Sequence, residues 1–231
     1  MKLFFINLDR RPDRKLFMES QEANAKLTWI VIERYTAIDG ERLFDFGISK
    51  SELLLFQKAD FMKTKYKKNI IGNFLSHLRL MKKIIDEKIP ISIISQDDML
   101  LAENFETEVE NVVNNLPIDA EIINLGFHKS AVYEKVIPWD LKGQKRETND
   151  HCESSVNKFV GRGRESMNPC SSTYIVTLEG AQNFVKYIEK RGVFRATDHE
   201  MNNYLIKKKN YYFSTLVLST GDEHGSDVFG E

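Results

Sequence analysis

Cysteine is nearly missing from this chain: 231 residues contain two, Cys152 and Cys170. Disulfide-built scaffolds are dense in cysteine and are excluded. Two free thiols or one bridge both remain readings, the bridge being disfavoured in a reducing compartment. Proline is scarce at 5 and glycine at 12, too few for a collagenous or linker-like chain. An excess of one charge is also lacking, since 33 Lys and Arg face 34 Asp and Glu. That balance argues against a nucleic-acid partner held by the overall field. Long hydrophobic runs are absent too. A membrane-spanning helix needs about 20 mainly apolar residues. Met167–Leu178 and Asn210–Gly221, among the longest stretches without a charge, are shorter and carry polar groups. Leu3–Leu8 is too short for the apolar core of a secretion signal, and Asp9, Arg10 and Arg11 follow at once. No Asn-x-Ser/Thr sequon occurs. The expectation is a cytoplasmic protein of bacterial or viral-host type, with contact at a membrane surface left open and the oligomeric state unread.

What is present is core material. Hydrophobic residues make up 42% of the chain and aromatics 11%, enough for one large domain or two small ones. Lys2–Leu8 reads as a buried strand. Asp9 is expected to cap the helix that follows, with Pro12 in its first turn. Thr28–Tyr35 reads as a strand ending in the turn Ala37–Gly40, and Ile48–Gln57 as a short helix. Ile70–Lys88 repeats apolar residues at three and four, the mark of an amphipathic helix. Ile91–Ser95 and Ala120–Leu125 read as strands around a helix at Glu103–Asn115. Pro138–Pro169 is polar and basic, the texture of a long surface loop or lid. Ser172–Thr177 resumes as a strand, followed by helices at Leu178–Lys190 and Thr197–Lys208 and a last strand at Tyr211–Leu218. This alternation implies an α/β layer with a mostly parallel sheet. Ligands in such sheets bind beyond the carboxyl ends of strands. The ends in question are Asn7–Arg10, Ile38–Gly40, Gln96–Asp98 and Gly126–His128.

Gln96-Asp97-Asp98 is the leading candidate for chemistry. Two carboxylates at a strand end serve either as a polar turn or as ligands for a hard cation such as Mg²⁺ or Mn²⁺. Asn7, Asp9, Arg10 and Arg14 offer either an anion site at a helix start or a cap with surface charges. Ser76 and His77 are neighbours on a helix, so they point apart and form no dyad; a core histidine is the default. Asp198-His199-Glu200 and Asp222–Asp227 each combine His with carboxylates, as a base or ligand needs. Gly161-Arg162-Gly163-Arg164 does not follow a strand, so it fails the test for a dinucleotide fingerprint. The runs Lys63–Lys68 and Lys207–Lys209 read as solvated faces.

The order of these segments is more specific than any one of them. FINLDRRPDR, AIDG, GNFLSHLRL, ISQDDMLL, EIINLG, SSTYIVTLEGAQNF, ATDHEMNNYL and HGSDV succeed one another from Leu3 to about Val228. This succession resembles glycosyltransferase family 25. The resemblance implies a single domain over 1–231 with a GT-A fold: a Rossmann-like, mostly parallel sheet flanked by helices. It implies a UDP-sugar donor, a glycan or glycoconjugate acceptor, and Mn²⁺ or Mg²⁺. Carried over, it implies Asn7, Leu8, Arg10, Arg14, Asp39, Gly40, Ser76, His77, Gln96 and Asp97 around the donor. It implies Asp97 and Asp98 at the metal with His224 or Asp227, and Asp198 as the base. Gln96 departs from the Glu that the family usually carries there, and a catalytically weakened homologue is the alternative.

Overall fold

A computed structural model describes residues 1–127, 152–163, 171–214 and 218–221. His128, His224, Asp227 and Cys170 lie outside the described residues. The large sheet has the strand order β2-β1-β3-β9-β5-β10-β8-β7. Its members are β1 (Lys2–Asn7), β2 (Val31–Thr36), β3 (Ile91–Gln96), β5 (Ile122–Asn124), β7 (Cys152–Ser155), β8 (Val160–Gly163), β9 (Thr173–Thr177) and β10 (Tyr212–Ser214). Pairing of β1 with β2 and β3 is parallel, as is β5 with β10. Only β9 and β8 run against the others. Six of the eight strands therefore point one way, which is the mostly parallel sheet expected. A small second sheet, β4-β11-β6, joins β4 (Met99–Leu101), β6 (Gly126–Phe127) and β11 (Ser219–Gly221).

Strand alternation builds two cores. Phe4, Ile6, Ile94, Ile122, Tyr174, Val176 and Phe213 face one side. There they meet α3 (Lys67–Asp86), α5 (Leu178–Arg191) and α6 (Thr197–Lys208). Leu3, Phe5, Ile93, Ile123, Ile175 and Tyr212 face the other. They meet α1 (Pro12–Asn24) and α4 (Phe105–Asn114). Successive side chains of a strand point to opposite faces, so apolar runs such as Leu3–Ile6 must be covered on both.

Three local expectations change. Asp9 does not cap α1: the N-cap is Arg11 without a side-chain bond, and the Asp9 carboxylate instead takes Arg34 at 2.6 Å. The polar stretch read as a loop contains the antiparallel hairpin β7–β8, which extends the sheet edge. The last strand is two short ones, β10 and β11, in different sheets. The short helix read over Ile48–Gln57 is α2 (Lys50–Leu54), held by a capping box of Ser49 and Glu52.

Candidate active site

Three adjacent parallel strands deliver the candidate residues to one edge. Register aligns Asn7 with Thr36 and Ile6 with Gln96. The ends of β2, β1 and β3 therefore carry Asp39 and Gly40, Asn7–Arg10, and Gln96–Asp98 side by side.

Asp97 and Asp98 are both buried, at 6% and 7% exposure, but they are held differently. Asp97 accepts from Asn7 Nδ2 at 2.6 Å on one oxygen and from Arg14 Nη1 at 2.9 Å on the other. Burial pushes its carboxyl above the usual carboxylate range; Arg14 and Asn7 oppose this, and the charge of Asp98 adds to it. Asp98 lies 3.6 Å from the same Arg14 nitrogen, an ion-pair distance beyond hydrogen-bond range. Arg14, itself 4% exposed, faces the acid pair rather than solvent. Its place in the first turns of α1 follows from Pro12 starting that helix.

The Asp39 carboxylate accepts from Arg10 Nε at 3.1 Å and from the Glu41 N–H at 3.0 Å. Arg10 is exposed, and Leu8 and Gln96 are half-buried. The Gln96 N–H donates to the Ser172 carbonyl at 2.7 Å. Gly40 sits against α3 so closely that a Cβ there would lie 2.5 Å from the Asn69 Cα.

One turn of α3 joins three parts of this edge. Asn73, Ser76 and His77 are three and four residues apart, so they share a helix face. The Asn73 amide oxygen accepts from Thr197 Oγ1 at 2.8 Å, at the start of α6. Ser76 Oγ accepts from the Ile38 N–H at 2.8 Å, just before Asp39, and donates to the Gly72 carbonyl. His77 Nδ1 shares a hydrogen bond with Tyr174 OH at 2.8 Å, at the start of β9. Burial pulls His77 down to about 4, so it is neutral at pH 7. Ser76 and His77 are fully buried and support the edge from behind.

Asp198 is half-buried in the first turn of α6 and lines a small cavity with Asn124, Tyr174, Met201, Asn202 and Tyr211. The entry to α6 is fixed by Glu200, which is 0% exposed. Its carboxylate accepts from the N–H groups of Phe194 and Arg195 at 2.8 and 2.9 Å and pairs with Arg191. The His199 N–H donates to the Asp198 carboxylate at 2.8 Å. A surface crevice lies elsewhere, among Leu54, Lys58, Lys82, Glu189, Lys190 and Gly192. Its lining is that of a solvated surface, with Lys82 paired to Glu189 at 2.7 Å, so the strand ends are the better candidate on chemistry.

Arg34, Asn73 and Tyr174 escape a reading of the sequence, and Glu200, read there as a candidate base or ligand, instead fixes the start of α6. Arg34 alone left a signal, a cation within a β-rich run. Among the described residues no group of three or more His, Cys, Asp or Glu could hold a metal. The carboxylates of Asp98 and Asp97 suit a hard cation that takes its other ligands from phosphate and water, not an all-protein cage. Among the described residues no helix is long and apolar enough to cross a membrane.

The profile described as Glycosyltransferase family 25 (LPS biosynthesis protein) matches residues 1–201. Human procollagen galactosyltransferase 2 is 23% identical over 189 residues, covering 80% of this chain and 27% of that protein. Zebrafish (Danio rerio) procollagen galactosyltransferase 1 is 24% identical over 192 residues, covering 80% and 28%. The chain thus spans little more than a quarter of the length of these curated relatives. Mouse xyloside xylosyltransferase 1, in its apo form, superposes with a TM-score of 0.44 at 12% identity, covering 92% of this chain and 70% of that one.

Proposed function

The chain belongs to glycosyltransferase family 25, and from that premise we propose that it moves a hexose, galactose or glucose, from a UDP-sugar to a hydroxyl of a glycan or glycoconjugate. The observation that carries this reading is the buried acid pair at the end of β3, with Asp97 braced by Arg14 and Asn7. Both Asp97 oxygens are taken by Arg14 and Asn7, so Asp97 is the brace. Asp98, one residue on and beside the same Arg14, is the residue that would hold a Mn²⁺ or Mg²⁺ bound with the diphosphate. Such a cation, when bound, offsets the charge that grows on the leaving diphosphate.

The chain's own residues do the rest. Leu8, Arg10, Asp39, Gly40 and Gln96 line the donor at the strand ends, with Asn7 buried behind them; Gln96 hydrogen-bonds ribose hydroxyls in place of a carboxylate. Arg14, Ser76 and His77 are buried and act through Asp97, Ile38 and Tyr174. Asp198 takes the proton from the acceptor hydroxyl. The freed oxygen forms its bond to the anomeric carbon on the face opposite the diphosphate. The carbon–oxygen bond to phosphate breaks with its electron pair leaving on the diphosphate, and the anomeric centre inverts.

The test is a melting scan with UDP, with and without Mn²⁺, on the wild type and Asp98→Asn. Ligand at about 100 times its dissociation constant adds roughly 2.7 kcal/mol, or about 5–10 °C for a chain of this size. A Mn²⁺-dependent shift lost in the variant supports the reading, and a donor panel then identifies the sugar. No shift with any nucleotide refutes it and favours the catalytically weakened homologue that Gln96 suggests.

A further inference from the structure

The acid pair is also steadied from β2, the strand whose end carries Asp39 and Gly40. Arg34 lies on β2, where register pairs it with Phe5 and pairs Thr36 with Asn7. Alternation puts Arg34 and Asn7 on one face of the sheet. Arg34 Nε donates to Asn7 Oδ1 at 2.7 Å, and Nη2 donates to the Asn7 carbonyl at 3.3 Å and to Asp9 Oδ1 at 2.6 Å. On its other side the Asn7 amide nitrogen donates to Asp97 Oδ2 at 2.6 Å and to the Arg11 carbonyl at 3.0 Å.

We infer that Arg34 is a positioning residue: it fixes which end of the Asn7 amide meets Asp97, and through Asp97 it sets the turn that carries Asp98. A guanidinium has donors only, so the amide end facing it must be oxygen. The nitrogen is then the end that faces Asp97. A reversed amide would set N–H against guanidinium and oxygen against carboxylate. The guanidinium fork spans Asn7 and Asp9 together, a geometry that a lysine ammonium does not reproduce. The order of the relay is therefore Arg34, Asn7, Asp97, with Arg14 closing it from α1. This inference rests on the nucleotide reading above.

The experiment is calorimetric titration of the full chain with UDP in Mn²⁺, for the wild type, Arg34→Lys, Arg34→Gln, Asn7→Ala and the double variant Arg34→Gln/Asn7→Ala. Residues that orient a metal ligand from behind typically change affinity by about 10–100-fold. Both Arg34 variants are expected to weaken UDP binding about tenfold or more. In the Asn7→Ala background the Arg34→Gln change is expected to add less than about twofold, the non-additivity of one network. Melting of each variant without ligand confirms that it folds, and Arg34→Lys serves if Arg34→Gln does not. Wild-type affinity in Arg34→Lys would mean that charge alone matters, and full additivity with Asn7→Ala would mean direct contact with phosphate; either overturns the relay. A wild type that binds no UDP overturns the functional reading, and the relay with it.

Discussion

Exchanging the two aspartates one at a time separates a brace from a ligand. In Asp97→Asn the buried Arg14, 4% exposed, loses the carboxylate that it meets at 2.9 Å. Asn7 loses its acceptor or Arg14 does, because one amide oxygen cannot serve donors on both sides. Removing one partner of a buried pair costs about 3–5 kcal/mol. The amide keeps one of the two bonds, so the lower end, about 3 kcal/mol, applies. A domain of this size loses about 2–4 °C per kcal/mol, so the melting point falls by about 6–12 °C. Asp98→Asn differs. Its carboxylate lies 3.6 Å from Arg14 Nη1, Arg14 keeps its hydrogen bond to Asp97, and a like charge beside Asp97 disappears. Its melting point without ligand is expected to fall less than that of Asp97→Asn. Its Mn²⁺-dependent shift with UDP is expected to vanish. Paired thermal scans in buffer and in UDP with Mn²⁺ give all four numbers. Equal losses of stability in the two variants, or an Asp97→Asn protein that melts like the wild type, would refute the division of roles.

Gly72→Ala should destabilise, although a helical Gly→Ala change normally gains up to about 1 kcal/mol. A Cβ at Gly72 would lie 2.5 Å from the Ile38 carbonyl, and the expected loss of about 1–3 kcal/mol is read from urea melts. Glu106 accepts from the N–H groups of Thr28, Trp29 and Ile30 at 2.8, 2.7 and 2.8 Å. Burial alone would raise its pKa, yet these donors hold it down to about 2. Its folded value lies below the unfolded one, so its contribution is present above about pH 4.5 and fades as pH falls towards 2. Glu106→Gln should flatten that part of the acid-stability curve; an unchanged curve would contradict the account. Asp198→Asn should lower turnover about 10²–10⁴-fold while leaving UDP affinity as it was, and turnover within tenfold of wild type would remove Asp198 as the base.

How much of this was legible depended on how much local pattern each element carries. Strand β1, strand β3 and helix α3 announce themselves, because Leu3–Ile6, Ile91–Ile94 and the Ile70–Ile84 series must be covered by other apolar groups. Strands β4, β6 and β11 are three residues or fewer, too short to show a period. The β7–β8 hairpin sits at a sheet edge, where polar residues are tolerated, so its composition imitates a loop. Asp9 has a capping residue's chemistry but is taken by Arg34, a partner 25 positions away that no local rule supplies. The strand ends of the site were readable because sheet topology dictates where crevices form. Which aspartate braces was not, since that depends on the long-range contacts of Arg14 and Asn7.

The shared turn of α3 has a consequence for how such a protein can diversify. Ile38, Tyr174 and Thr197 all hang from the face formed by Asn73, Ser76 and His77. The turn after β2, the start of β9 and the start of α6 are thus pinned to a single rigid bar, and their spacing is a gauge set by helix geometry. That spacing cannot widen without breaking one of these hydrogen bonds. Exposed positions such as Arg10 and Phe44 lie outside that constraint, so under the proposed function selectivity drifts there while the spacing stays constant.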